Sequence, residues 1–341
     1  MLDSDRAVTP RDNTTMLESE RARIKHVLER LGLRDIVSIE YPEATRRPLD
    51  LVARYEDVNV LIRITDRVSS RRKDFAELKR ATEVLDTSSL VIAKYLNREE
   101  LIDGILYTRD KIGIVSYKTL YNLVRGSKVC IYERNGLFYV KIDGMKLREL
   151  RERRGLSLSQ LAQKVGVSIK ALYEYEQGKI DMSVEVAERF LEVFGEEFEL
   201  VLEDVNIFIE RIGRSSRTVS ASEPRVVDRD NHKHKLVVEA IKHGLEAEAF
   251  DLMPSDIVLR YGDARWFLTL ISDENLQSVV VKCRETAKLA EAFKGRAIAV
   301  LVDNKARDRA EIRDEIEKYL ELYNYSEINN IIREVQNAPK R

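Results

Sequence analysis

Repetition constrains the fold of this 341-residue chain more than any other feature. The stretch Asp50–Asp57, DLVARYED, returns near the other end as Asp256–Asp263, DIVLRYGD. Each is set among runs of the same kind in the same order. Ile24, Leu28 and Leu31 fall at four- and three-residue spacing before Gly32, as on a helix face stopped by a left-handed residue, and Leu236–Gly244 reads likewise. Short β-branched runs follow at Ile36–Ile39, Leu51–Tyr55 and Val58–Ile64, with Glu56 and Asp57 making a tight hairpin of the last two. A charged helix expected over 72–85 has its counterpart at 285–293, and the apolar strand Leu90–Ala93 has one at Ala297–Val302. The reading is an αβββαβ unit present twice, one copy at each end, with Ile64-Thr65-Asp66 aligned on Ile271-Ser272-Asp273 by a slip of one residue.

Between the copies, Val129–Ile142 reads as a hairpin, because Asn135-Gly136 supplies the positive φ angles of a type I′ turn. The expected organisation is a mobile polar tail at 1–15, an α/β domain at 16–125, a hairpin connector at 126–143, an all-α domain at 144–205, a linker at 206–235 and a second α/β domain at 236–341. No apolar run approaches the roughly 18 residues of a bilayer span, and the start of the chain has no apolar core like a signal peptide, so a cytoplasmic location and no membrane partner are expected. Cys130 and Cys283 stand far apart, as buried small hydrophobes in a reducing compartment would. The close pair His232 and His234 reads as part of the linker, and neither a metal nor a cofactor is expected. With 58 Lys plus Arg against 59 Asp plus Glu, overall basicity cannot drive nucleic-acid binding; a local patch would have to.

Such a patch lies in the middle of the chain. Lys146–Arg154 is an amphipathic helix stopped by Gly155. Ser157 and Gln160 then have capping-box spacing, Leu161, Ala162 and Val165 face a core, Gly166 permits a sharp left-handed turn, and Ser168 can cap a second short helix carrying Leu172 and Tyr175 inward. Two short helices joined by a tight turn are the minimum device for placing a helix in the major groove. The charge agrees: residues 144–180 hold eight Lys/Arg and four Asp/Glu, whereas 181–204 hold one Arg and nine Asp/Glu. The sign changes just past the second helix.

This stretch resembles the Xre family of Cro and lambda-repressor type helix-turn-helix domains, whose Leu-Ala-x-x-x-Gly-Val-Ser core and closing Glu-x-Gly stand here as Leu161-Ala162, Gly166-Val167-Ser168 and Glu176-Gln177-Gly178. The resemblance covers about residues 144–200. It implies a recognition helix from which Ser168, Ile169, Lys170 and Tyr173 project toward base edges, with Ser157 and Ser159 near phosphates; Gln160, Glu174 and Lys179 complete the candidate DNA contacts. Ile169 could pack on a thymine methyl and Tyr173 on sugar. Leu158 departs from the pattern, since many relatives carry Gln there for a phosphate contact.

The flanking copies resemble restriction-endonuclease-like nucleases, including the archaeal Holliday-junction resolvases. That chemistry needs an Asp and a nearby Glu-x-Lys on adjacent strands to hold Mg²⁺ and orient water. Asp50 and Asp256 take the first place, but Leu61–Thr65 and Phe267–Ile271 lack the carboxylate and the lysine. The expectation is therefore no catalytic residues, with Asp50 and Asp256 as turn residues at the start of a strand. The copies would serve dimerisation, DNA backbone contact or partner docking. The whole arrangement also resembles archaeal proteins described as HTH-type transcriptional regulators. The expected function is sequence-specific binding of double-stranded promoter or operator DNA as a homodimer at the nucleoid, with the transcription machinery as a further partner. The alternatives are a structure-binding nuclease or resolvase, and a chromosome-architecture protein binding without sequence preference.

Overall fold

Turn chemistry sets the element boundaries throughout the computed structural model, which describes residues 10–42, 47–209, 232–272, 275–302 and 310–337. The chain runs α1 (Pro10–Arg30), β1 (Arg34–Ser38), β2 (Leu51–Tyr55), β3 (Val58–Val68), α2 (Lys73–Val84), β4 (Ser88–Leu96), β5 (Glu99–Glu100), β6 (Ile105–Arg109), β7 (Ile112–Ser116) and α3 (Tyr117–Val124). Next come β8 (Ile131–Arg134), β9 (Leu137–Val140), α4 (Gly144–Arg153), α5 (Leu158–Val165), α6 (Ile169–Glu176), β10 (Met182–Ser183) and α7 (Val184–Phe194). The last part holds α8 (His232–Lys242), β11 (Glu246–Ala249), β12 (Ile257–Tyr261), β13 (Ala264–Ile271), α9 (Leu276–Ala292), β14 (Arg296–Leu301), α10 (Ala310–Glu317), β15 (Glu321–Asn324) and α11 (Ile328–Gln336). Gly32 and Gly244, at φ 93° and 78°, end their helices as expected, and Asn135 and Gly136, at 54° and 84°, make the primed turn.

Two compact units result, and each draws on several stretches of chain. Among the described residues, those of 10–36, 101–107 and 115–205 form one, and those of 37–100, 108–114 and 206–337 the other. The expected 16–125 domain is thus shared between them, and the supposed connector belongs to the first. There β9 lies between β8 and β10, with Tyr132 opposite Tyr139 and Met182 opposite Val140. Two bonds close this hairpin onto the segment after α7, Val205 N–H to Val129 O at 2.7 Å and Glu203 N–H to Lys141 O at 3.1 Å. The expected ends also move. Helix α1 begins at Pro10, inside the expected tail, and α8 begins at His232, whose ring meets Tyr325 edge-on at 4.6 Å. His232 and His234 therefore lie in a helical first turn. Ile207 and Phe208 are buried, with Phe208 against Tyr55 at 4.9 Å, so the linker starts later than composition suggests. Residues 1–9 of the tail and 210–231 of the linker lie outside the described residues.

In the second unit the duplication is visible strand by strand. β2 pairs antiparallel with β3, which pairs parallel with β4; β12, β13 and β14 do the same in a five-stranded sheet ordered β11-β12-β13-β14-β15. Leu51 faces Ile62 and Ile257 faces Leu268, so the offset is the same in both hairpins. This register aligns Ile64 with Leu270, which removes the one-residue slip that motif matching needed. Parallel strands covered on both sides read as unbroken apolar runs. Accordingly Ile298 and Val300 of β14 enter the core under α8 and α11, with Leu236, Ala240, Ile331 and Val335. Ala299 and Leu301 point the other way, to Val279 and Cys283 of α9 and Ile316 of α10. Cys283 is a small buried hydrophobe as the sequence leads one to expect, whereas Cys130, expected to be the same, is only half-buried.

Candidate nucleic-acid interface

Each turn of the helical region is closed by the residue type its geometry demands. Asp143 caps α4 by accepting from Met145 N–H and Lys146 N–H, bonds that hold its carboxyl below the ordinary aspartate range. Ser157 accepts from Gln160 N–H at 3.2 Å while the Gln160 carbonyl takes Ser157 N–H at 2.8 Å, the reciprocal box read from the sequence. Gly166 ends α5 at φ 65°, and Ser168 caps α6 by accepting from Ala171 N–H at 3.0 Å.

Three helices are then locked by contacts that spacing alone did not disclose. Arg151 of α4 grips Glu176 of α6 through Nε at 2.5 Å and Nη2 at 3.0 Å, and donates from Nη1 to Leu156 O at 2.9 Å. The pair is buried and bidentate. Arg189 of α7 reaches the turn itself, donating to Gly166 O at 3.1 Å. At Gly144 the backbones approach so closely that a Cβ would stand 2.4 Å from Tyr175 O. Leu147, Leu150, Leu161, Val165, Leu172 and Phe190 fill the space between. Phe190 stacks on Phe198 and meets Tyr175 edge-on.

With the inward face so occupied, the opposite face of α6 is open. Ile169 is 53% exposed, Tyr173 48% and the Lys170 side chain 84%. Ser168 and Lys179 are also exposed, and the Lys179 ammonium lies 5.9 Å from the Tyr173 ring. Glu174 is half-buried beside them, its carboxylate 3.9 Å from Lys170. Ser157, Ser159 and Gln160 lie exposed at the start of α5, although Gln160 and the two cap serines already spend one hydrogen-bonding atom each on the backbone. Arg189 and Arg151 escaped sequence reading because both act through groups remote in the chain, a turn carbonyl and Glu176.

The two aspartates of the nuclease-like copies have duties beyond starting a strand. Asp50 and Asp256 are buried, and each accepts the N–H of the neighbouring strand at 2.8 Å, Ile64 for one and Leu270 for the other. Asp256 also holds two ammonium groups, Lys282 of α9 at 2.7 Å and Lys233 of α8 at 3.0 Å. In the first copy Arg63 of the neighbouring strand is buried and paired with Asp74 of α2 at 2.6 Å. No group of three or more His, Cys, Asp or Glu placed to hold a metal ion occurs among the described residues. Lys282 lies on the helix after the strand, where a search for Glu-x-Lys on the strand passes it by.

Known proteins match in the same order. A family model described as a PD-(D/E)XK superfamily domain matches residues 18–129, and one described as a helix-turn-helix domain matches 144–201. A protein of Saccharolobus solfataricus named "Putative HTH-type transcriptional regulatory protein" is 26% identical over 303 residues, 89% of this chain and 92% of its own. Its namesake in Saccharolobus islandicus is 25% identical over the same shares. In Aeropyrum pernix a protein so named is 35% identical over 176 residues, half of this chain and 53% of its own. No solved structure matches the chain. The resemblance to the Saccharolobus proteins runs along most of the chain, and the order is an α/β region of PD-(D/E)XK type, a helix-turn-helix, and a further α/β region.

Proposed function

We propose that this relative of archaeal HTH-type regulators is a sequence-specific, double-stranded DNA-binding regulator of transcription. The observation that carries the reading is the open face of α6. A helix held on its inner side by a buried ion pair and a packed core presents Ile169, Lys170 and Tyr173 outward, with the cap serines of α5 and α6 at the phosphate end. Cro-type domains read half-sites about one DNA turn apart, so two copies, each offering one α6, would occupy an inverted repeat in the cytoplasm at the nucleoid. The nuclease-like copies act as scaffolds without catalysis. Lysines neutralise Asp256, and a buried guanidinium, that of Arg63, stands on the strand beside Asp50. The test is genome-wide footprinting followed by Lys170→Ala on a footprinted site. Loss of about 1–3 kcal/mol with relaxed preference at one base pair is expected if Lys170 reads a guanine. Unchanged affinity and preference would overturn the assignment of α6.

The match of residues 18–129 to a PD-(D/E)XK domain favours a second reading, a DNA-structure-binding nuclease or resolvase. Plasmid and four-way-junction DNA incubated with Mg²⁺ or Mn²⁺ decides between the two: cleavage abolished by Asp50→Ala or Asp256→Ala would establish it.

A further inference from the structure

The two nuclease-like copies touch each other through contacts that occur in matched pairs. Glu77 of α2 is fully buried and its carboxylate accepts the N–H groups of Asp251 and Leu252, at 3.0 and 2.8 Å. Glu285 of α9, also fully buried, accepts the N–H of Glu40 at 2.9 Å. Glu40 and Asp251 are equivalent positions, because each follows a residue, Ile39 or Phe250, whose N–H bonds to the carbonyl of Asp50 or Asp256. A second pair repeats the pattern at the other end of the helices. The Asn59 amide donates to Ala292 O at 3.2 Å, and Arg265 donates to Leu85 O at 3.3 and 3.2 Å. Asn59 and Arg265 share one hairpin position, facing Arg54 and Arg260; their acceptors lie one position apart in the repeat, Ala292 as the last residue of α9 and Leu85 as the residue after α2. Ion pairs surround these bonds: Lys73 with Asp251 at 2.6 Å, Arg80 with Glu248 at 2.8 Å and Arg284 with Glu40 at 3.7 Å.

Contacts in which i meets j while the equivalent of j meets the equivalent of i define an isologous interface, the kind that two identical subunits form. We infer that the occupant of each copy's pairing surface is the other copy of the same chain, so that one chain closes by itself the pair that two separate protomers would otherwise make. Buried carboxylates make this surface selective, since without the backbone donors of the other copy Glu77 would keep only Arg80 at 3.9 Å, and Glu285 would keep Arg284 at 3.0 Å and Lys288 at 2.8 Å but leave an acceptor oxygen desolvated. The surface on α2 and α9 is then unavailable for joining one chain to another. Two DNA-bound copies meet elsewhere, and each brings one recognition helix for every two nuclease-like copies. This inference is independent of whether α6 reads DNA.

Zero-length carbodiimide coupling of the whole protein tests it, because Lys73 and Asp251 are in contact and both more than half exposed. Chains labelled with ¹⁵N are mixed one to one with unlabelled chains, coupled and digested. The Lys73–Asp251 peptide pair is expected with like labels only, and its yield should fall at least about fivefold in the Glu77→Ala, Glu285→Ala double variant. Mixed-label pairs as abundant as like-label ones would place the partner in a second chain. Absence of the coupled peptide in the unsubstituted protein would remove the contact altogether. Either result overturns the inference, and neither depends on the double variant folding or on any DNA.

Discussion

Replacing Glu176 by Gln keeps the volume of the side chain and removes its charge, which isolates what the Arg151–Glu176 pair contributes. Arg151 is 9% exposed and Glu176 3%, so the exchange leaves a guanidinium in the interior with the Leu156 carbonyl and the half-exposed Glu152 carboxylate, 3.5 Å from Nη2, as its remaining acceptors. A glutamine carbonyl can take one of the two donors, while its NH₂ faces the other, donor against donor. Removing one member of a buried pair costs about 3–5 kcal/mol, chiefly because the surviving charge is left poorly compensated, here with only the half-exposed Glu152 beside it. The cost falls on the attachment of α6 to α4, and amide exchange of α6 is the appropriate measurement. At about 1.4 kcal/mol per decade, exchange should quicken by about two to three and a half decades if these amides exchange by local opening. Arg151→Met with Glu176→Leu, which replaces both charges by apolar side chains, should return most of the loss, and the cycle should show strong non-additivity. Exchange within about fivefold of the unsubstituted protein in Glu176→Gln would show that packing alone holds α6. A double variant as damaged as the single one would show that shape, rather than uncompensated charge, is what matters.

Two glycine substitutions should separate by the nature of the obstacle. Gly144→Ala drives a Cβ to 2.4 Å from the Tyr175 carbonyl, which only helix displacement relieves, and should lower the melting temperature more than Gly166→Ala; the latter meets the movable end of Arg189 at 2.7 Å and adds about 1–2 kcal/mol of left-handed strain. The Asp143 carboxyl, held low by its backbone bonds, contributes stability that is present above the ordinary aspartate pKa and is lost as pH falls through the lower folded value. Protection of the Met145 and Lys146 amides should therefore persist at pH 5 and decline below the unperturbed value of 3.8, and Asp143→Asn should flatten that dependence. A fragment of residues 127–205 should fold and melt cooperatively by circular dichroism. One of residues 140–205 should not, because it loses β8, most of β9 and the Val129 carbonyl that Val205 bonds.

Local chemistry was legible from the amino acids alone. The capping box at Ser157 and Gln160, the second cap at Ser168, the left-handed glycines 32, 166 and 244 and the Asn135-Gly136 turn each depend on residues within a few positions of one another. A linear pattern therefore states them completely, as it does the twice-repeated order of helices and strands. What links distant positions was decided by the tertiary structure. Arg63 and Lys282 stand beside the aspartates, one on the strand and one on the following helix, and a pattern confined to the strand records only that Glu-x-Lys is missing. The register of β12 against β13, set by cross-strand bonds, replaced the alignment that motif letters favoured. Above all, the boundaries between units and the pairing of Glu77 and Glu285 with backbone of the opposite copy depend on which surfaces meet after the strands have formed. Cations of the same helix reach both carboxylates, but the N–H groups these accept belong to the opposite copy, and no local window holds both sides of that contact.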